Sequence, residues 1–212
     1  MLNFDDLAPT VAARVEGCPH VMVVEALRDA AIDFCVRTRF HAVGHQVNLD
    51  GTQEPSFDLE QQVVDILQAS IDGDDEACVH VVRLNDPIAD DIPDGDYVLR
   101  FVDANNFEIL PAPTLTAPIT LNLLLVLAPG PDATGIHEDL WRRHREDLRS
   151  GALARLYAEP SKPWSSSGAA DAHRALFERA VTKAAAYAGR NRTQPGRRLR
   201  VNPAWPAKFT TR

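Results

Sequence analysis

Cysteine is scarce in this 212-residue chain: Cys18, Cys35 and Cys78 form an odd set with no C-x-x-C spacing. That excludes the even-numbered disulfide framework of a small secreted domain and the ligand spacing of a zinc ribbon, and it fits folding in a reducing compartment. Long apolar runs are missing too. The longest, Leu121 to Ala128, contains Asn122 and falls far short of the ~20 residues that span a bilayer. The N-terminus, Met-Leu-Asn-Phe-Asp-Asp, lacks the basic start and apolar run of a secretory signal, so a soluble, unprocessed chain with no membrane partner is expected. No G-x-S-x-G, P-loop, G-x-G-x-x-G or H-E-x-x-H string occurs, and the cysteines lack a sequence-local base. The sequence gives no support to an enzyme or to a cofactor.

Charge of one sign is nearly missing from one long stretch and wholly missing from another. Residues 41–131 hold two bases against sixteen acids, a net −14, whereas 190–212 hold seven bases and no acid. Residues 1–40 and 132–189 are nearly balanced, at −2 and +1, which completes the overall −8. The field of the middle segment repels nucleic acid and anionic membranes alike.

Three helices and a β-rich insert are legible between these extremes. Gly17-Cys18-Pro19 reads as a helix entry, and Val24, Leu27, Ala31, Phe34 and Cys35 recur on one helical face, predicting a helix over 20–39. Its other face carries Glu25, Arg28, Asp29, Asp33 and Arg37. From Ala42 to Pro129 short apolar runs alternate with turn signals such as Asp50-Gly51, Asp72-Gly73, Asp94-Gly95 and Asn105-Asn106. Strands are expected near 43–49, 56–60, 63–71, 77–84, 96–102, 106–110 and 118–128, with 97–102 and 107–110 paired as a hairpin. Val63, Ile66, Leu67 and Ser70 also fit a helical period, but the flanking residues bound 63–71 like a hairpin arm and favour a strand. After Pro129-Gly130-Pro131, Leu140, Trp141, His144, Leu148, Ala152 and Leu156 form one stripe of a helix over 136–158, closed by Pro160. Ser165-Ser166-Ser167 then supplies N-cap oxygens for a third helix. Asp171 is expected in its first turn, Gly189 just past its end, and Ala172, Leu176, Phe177, Ala180, Ala184 and Tyr187 on its inner face.

The expected fold is therefore α+β: an antiparallel bundle of three main helices from 1–40 and 132–189, a β-rich insert over 41–131, and an extended basic C-terminal arm over 190–212. In that arm Pro195, Pro203 and Pro206 each remove a donor and fix φ, which excludes a helix through the segment. Arg190, Arg192, Arg197, Arg198, Arg200, Lys208 and Arg212 supply its charge, and Trp205 and Phe209 are apolar anchors.

Candidate chemistry is thin elsewhere. His41 and His45 are four apart, but Gly44 and the strand-like context remove the helical geometry that would aim both at a metal, so a surface or loop role is expected. His144, on the apolar stripe of the second helix, reads as a satisfied core or interface residue. Asp72, Asp74, Asp75 and Glu76, and again Asp90, Asp91, Asp94 and Asp96, would suit a hard cation, yet neither matches an EF-hand loop and both read as solvated acidic turns. No metal site is expected.

The arm admits a disordered solubilising end, a DNA-binding arm or a protein-binding arm. Trp205, Phe209, Leu199 and Val201 are costly to expose, which weighs against the first. The acidic remainder of the chain opposes docking on phosphates, which weighs against the second.

Gly17-Cys18-Pro19 with Ala26 to Thr38 (Ala-Leu-Arg-Asp-Ala-Ala-Ile-Asp-Phe-Cys-Val-Arg-Thr) resembles the opening helix of head-to-tail connector (adaptor) proteins of tailed bacteriophages. Leu148 to Leu156, then Pro160-Ser-Lys-Pro-Trp164 and the alanine-rich third helix, resemble the second signature of the same proteins. The resemblance implies a non-enzymatic virion protein, assembled in the host cytoplasm and located in the neck. There it would form a homo-oligomeric ring, commonly of twelve copies, between the portal and the next tail or neck protein. DNA would pass through the channel without specific binding. The C-terminal arm would grip the portal, its cations on acidic grooves and Trp205 and Phe209 in pockets. The alternative is a DNA-binding or packaging-associated protein that uses its basic tail on phosphates.

Overall fold

The computed structural model describes residues 1–49, 61–71, 79–82, 97–101, 106–110 and 119–192. The protein is α+β. In chain order the elements are β1 (Leu2–Asn3), α1 (Phe4–Leu7), α2 (Pro9–Ala12), α3 (His20–Thr38), β2 (Ala42–Leu49), β3 (Gln61–Ile71), β4 (Val79–Val82), β5 (Tyr97–Phe101), β6 (Phe107–Leu110), β7 (Ile119–Pro129), β8 (Gly135–Ile136), α4 (Glu138–Ala158) and α5 (Ser167–Arg192).

Local chemistry explains the helix ends. Pro19 precedes the first turn of α3, where a missing N–H costs nothing, and Arg39 closes it in the left-handed region at φ 51°, its N–H donating to the Cys35 carbonyl at 2.8 Å. His137 caps α4 by accepting the Asp139 N–H through Nδ1 at 3.3 Å, and Glu138 and Asp139 place negative charge at the positive end of the helix dipole. Ser166 Oγ accepts the Ala169 N–H at the start of α5.

The α3, α4 and α5 helices share one apolar core with the N-terminal segment. Phe4, Leu27, Phe34, Ile136, Leu140, Leu148 and Phe177 are buried in it. Gly151 makes the closest approach: a Cβ there would stand 2.7 Å from the Phe177 ring and 3.0 Å from Ala30 Cβ. The missing side chain lets α4 approach both neighbours.

A second core lies under the sheets. The β7 strand is the centre of an antiparallel sheet ordered β2-β7-β3, and β5 is the centre of another ordered β4-β5-β6, parallel to β4 and antiparallel to β6. Leu99, Phe107, Leu121 and Leu125 are buried between them. Ala128 at the far end of β7 belongs to the helical core, so the apolar run seen in the sequence joins the two cores. The expected pairing of 97–102 with 107–110 appears as β5 and β6, with Phe101 opposite Phe107 and Arg100 opposite Glu108.

The α5 helix departs from its expected form in three ways. It continues through Gly189 to Arg192, so the first three residues expected in the extended arm are helical. One glycine costs only about 1 kcal/mol inside a helix, and the nearest breaker is Pro195, whose ring disfavours helical geometry at the residue before it. Asp171 falls past the first turn and lies 3.4 Å from Arg174 instead. The buried face is Ala170, Phe177, Val181, Ala184 and Ala188, while Ala172, Leu176 and Tyr187 are exposed. The strand expected at 56–60 and the turns at 50–51, 72–76 and 90–96 lie outside the described residues.

Candidate interaction site

Packing α4 against α3 and returning the chain through Pro160 into α5 leaves a groove of about 540 Å³ between α3 and the α4–α5 turn. Its floor is apolar, from Ala26, Leu156 and Phe177. Its walls carry five carboxylates, Glu25, Asp29, Asp33, Glu159 and Glu178, against the guanidiniums of Arg155 and Arg174.

Part of this charge is neutralised internally. Arg37 Nη1 donates to Glu178 Oε1 at 2.8 Å while Nη2 donates to Oε2, a bidentate pair between α3 and α5. That hydrogen bonding holds the Glu178 carboxyl below the usual carboxylate range, with the Arg37 and Arg174 charges acting in the same direction. Asp33 Oδ2 lies 3.0 Å from Arg155 Nη2 and 3.7 Å from Arg37 Nη1, and the Arg155 guanidinium stands 5.7 Å from the centre of the Phe177 ring. Glu25, Asp29 and Glu159 make no ion pair among the described residues. The groove thus presents unneutralised carboxylates over an apolar floor, a combination suited to a cationic polypeptide surface and lacking a nucleophile.

None of the sequence-predicted site residues that the structure describes lines this groove. Arg190 is on the last described turns of α5, with Nε donating to the Ala186 carbonyl at 3.3 Å, and Arg192 is the last described residue of that helix. Arg197, Arg198, Arg200, Trp205, Lys208, Phe209 and Arg212 lie outside the described residues. His41 precedes β2 and His45 lies within it, opposite Leu123 of β7. The His41 ring lies 4.6 Å from that of His137, and its proton affinity is lowered by burial first and by His137 second. His144 interrupts α4 with φ −126°, its ring between Phe34 at 4.6 Å and Phe40 at 4.5 Å and its Nδ1 2.9 Å from Asp147 Oδ2. Burial pushes the Cys35 thiol up to about 12, so it is not a nucleophile at neutral pH. No group of three or more His, Cys, Asp or Glu among the described residues could hold a metal ion. Nor is any helix among them long and apolar enough to cross a membrane.

The groove was only half legible in the sequence. Glu25, Asp29 and Asp33 stand out on the polar face of α3, but Arg37 and Glu178 are 141 residues apart and no local spacing links them. No family model matches the chain, and no curated protein matches it.

Proposed function

We propose that the chain is a head-to-tail connector of a tailed bacteriophage, a structural protein of the virion neck. Copies form a ring beneath the portal, pass DNA through the channel without binding it specifically, and meet the next tail or neck protein on the other side. In this reading α3, α4 and α5 are the antiparallel bundle, residues 41–131 are an inserted β-rich domain, and the basic segment that follows α5 is the arm that grips the portal.

One observation carries the reading. The two segments that resemble connector proteins, 17–19 with 26–38 and 148–156 with 160–164, are more than a hundred residues apart in sequence and lie against each other in one core, with Gly151 of the second closed upon Ala30 of the first. Resemblance in both segments is then resemblance in a single packed unit. The arm's charge complements an acidic partner surface, and repetition round a ring multiplies a weak contact by raising effective concentration.

Deleting 193–212 leaves α5 whole and tests the arm directly. The truncated chain is expected to keep its helical circular dichroism and its unfolding midpoint while losing capture by the cognate portal protein. Equal capture of the truncated and full chains would sink the role given to the arm. The rival reading, a DNA-binding or packaging-associated protein, predicts tight gel-shift binding with a steep salt slope, whereas the connector reading predicts none.

A further inference from the structure

The outer faces of α3 and α5 carry matching patterns of opposite charge. Six large hydrophobic side chains are exposed among the described residues, and four of them lie on these two faces: Val21 and Val36 on α3, Leu176 and Tyr187 on α5. Singly exposed hydrophobics need no explanation, but their concentration on two helix faces does. On α3 the same strip holds Glu25 and Asp29, both exposed and without an ion pair among the described residues. On α5 it holds Arg179 and Lys183, likewise exposed and without an ion pair among the described residues, with Arg190 at its end. At 3.6 residues per turn each set of four falls within about 80° of its helix circumference, on the side away from the core.

The dimensions agree as well. Val21 to Val36 runs about 22 Å along α3, and Leu176 to Arg190 about 21 Å along α5. Alanines at 172, 175 and 186 flank the α5 strip and allow a helix backbone to approach closely.

From this pairing we infer that the occupant of the acidic face of α3 is the basic face of α5 in a second copy of this chain. Each copy then offers two different, mutually complementary faces. Such a contact is heterologous: it does not close as a two-fold dimer but propagates, and closes as a ring when the rotation allows. The groove beside Glu25 and Asp29 receives the flank of the incoming helix, with Leu176 and Tyr187 set against the apolar rim formed by Val21 and Val36. The inference rests on the ring reading above and supplies its contact between neighbours.

Charge reversal of the full-length protein, read by sedimentation and native mass over a rising concentration series, tests this contact. Wild type is expected to form species larger than a dimer. E25K/D29K and R179E/K183E are each expected to lose every species above the monomer at concentrations where wild type assembles, with helical circular dichroism unchanged because all four positions are exposed. Mixing the two variants in equal amounts is expected to restore assembly, as is combining all four reversals in one chain. Wild type that stays monomeric at every concentration, either variant assembling like wild type, or a mixture that remains monomeric would overturn the contact. Assembly that stops at a dimer would overturn it too. Capture by portal protein, measured on the same samples, separates the two levels. Portal capture without self-association removes the α3–α5 contact and leaves the connector reading standing. Charge-patterned self-association without portal capture supports the contact and removes that reading.

Discussion

Arg39 places Nη1 3.0 Å from Oδ2 of Asp65, across the seam where the helical core meets the sheet. Both residues are in unfavourable positions for their type. Arg39 has φ 51°, a conformation that costs an L-residue roughly 1–2 kcal/mol, and Asp65 is a carboxylate only 5% exposed whose Oδ1 accepts the Ile66 N–H. The ion pair ties the residue that closes α3 to the fifth residue of β3.

Separating the two contributions needs two substitutions at one site. Arg39→Ala removes the cation from a carboxylate that stays buried and keeps the left-handed backbone, and is expected to lower stability by about 1–3 kcal/mol. Arg39→Gly loses the same ion pair but fits the backbone, so it should stand about 1 kcal/mol above the alanine variant. Urea midpoints with unchanged slopes give the order. Wild-type stability in the alanine variant would show that the pair contributes nothing.

A second prediction concerns Gly151, where helix propensity and packing point in opposite directions. Alanine in an exposed helix interior is favoured over glycine by about 1 kcal/mol. At 151 the added methyl meets the Phe177 ring at 2.7 Å and Ala30 at 3.0 Å, so Gly151→Ala is expected to destabilise by about 1–3 kcal/mol net. Gly189→Ala is the control, because a Cβ there meets nothing within 4 Å. It should be neutral or gain up to about 1 kcal/mol. Thermal melts of both variants decide the matter, and a stabilised Gly151→Ala would mean that the α4 contact is looser than the packing requires.

What could be read in advance follows from where the large side chains fall. Helices α3 and α4 were legible because Leu27, Phe34, Leu140 and Leu148 mark a direction by size. The face of α5 was not: alanine recurs on every side, and Leu176 carries the same sequence signal as Phe177 while lying 48% exposed. The double reading of 63–71 has a structural cause, since β3 shifts register against β7 between Val63 and Asp65 and again between Ile66 and Gln68. Two register shifts interrupt the period of two and leave a spacing that also fits a helix. The short helices α1 and α2 went unread because four residues show no period, although Phe4, Leu7, Val11 and Val15, all buried, already stand three and four apart. The ion pairs that wall the groove on its α4 and α5 side lay beyond sequence reading, because Arg37, Arg155 and Glu178 meet only through tertiary packing.

The last prediction comes from the same seam as the first. The His41 ring lies against His137, the N-cap of α4, and burial together with the His137 charge lowers its proton affinity below the ordinary histidine value of about 6.5, with Gln61 and Asp139 opposing in part. His173 is lowered too, by burial first and Arg14 second. In the window from about 6.5 down to the folded-state value, the unfolded chain therefore binds more protons than the native one, and stability rises with pH. The contribution of both histidines is fully present above that window and is lost as pH falls through it. Glu178, held low by Arg37, acts only further down, in the carboxylate range. Urea midpoints of wild type are thus expected to decline between about pH 7 and pH 5, and those of His41→Gln to decline less over the same range. Parallel curves for the two proteins would place the source of the decline elsewhere, with His173 the next group to replace.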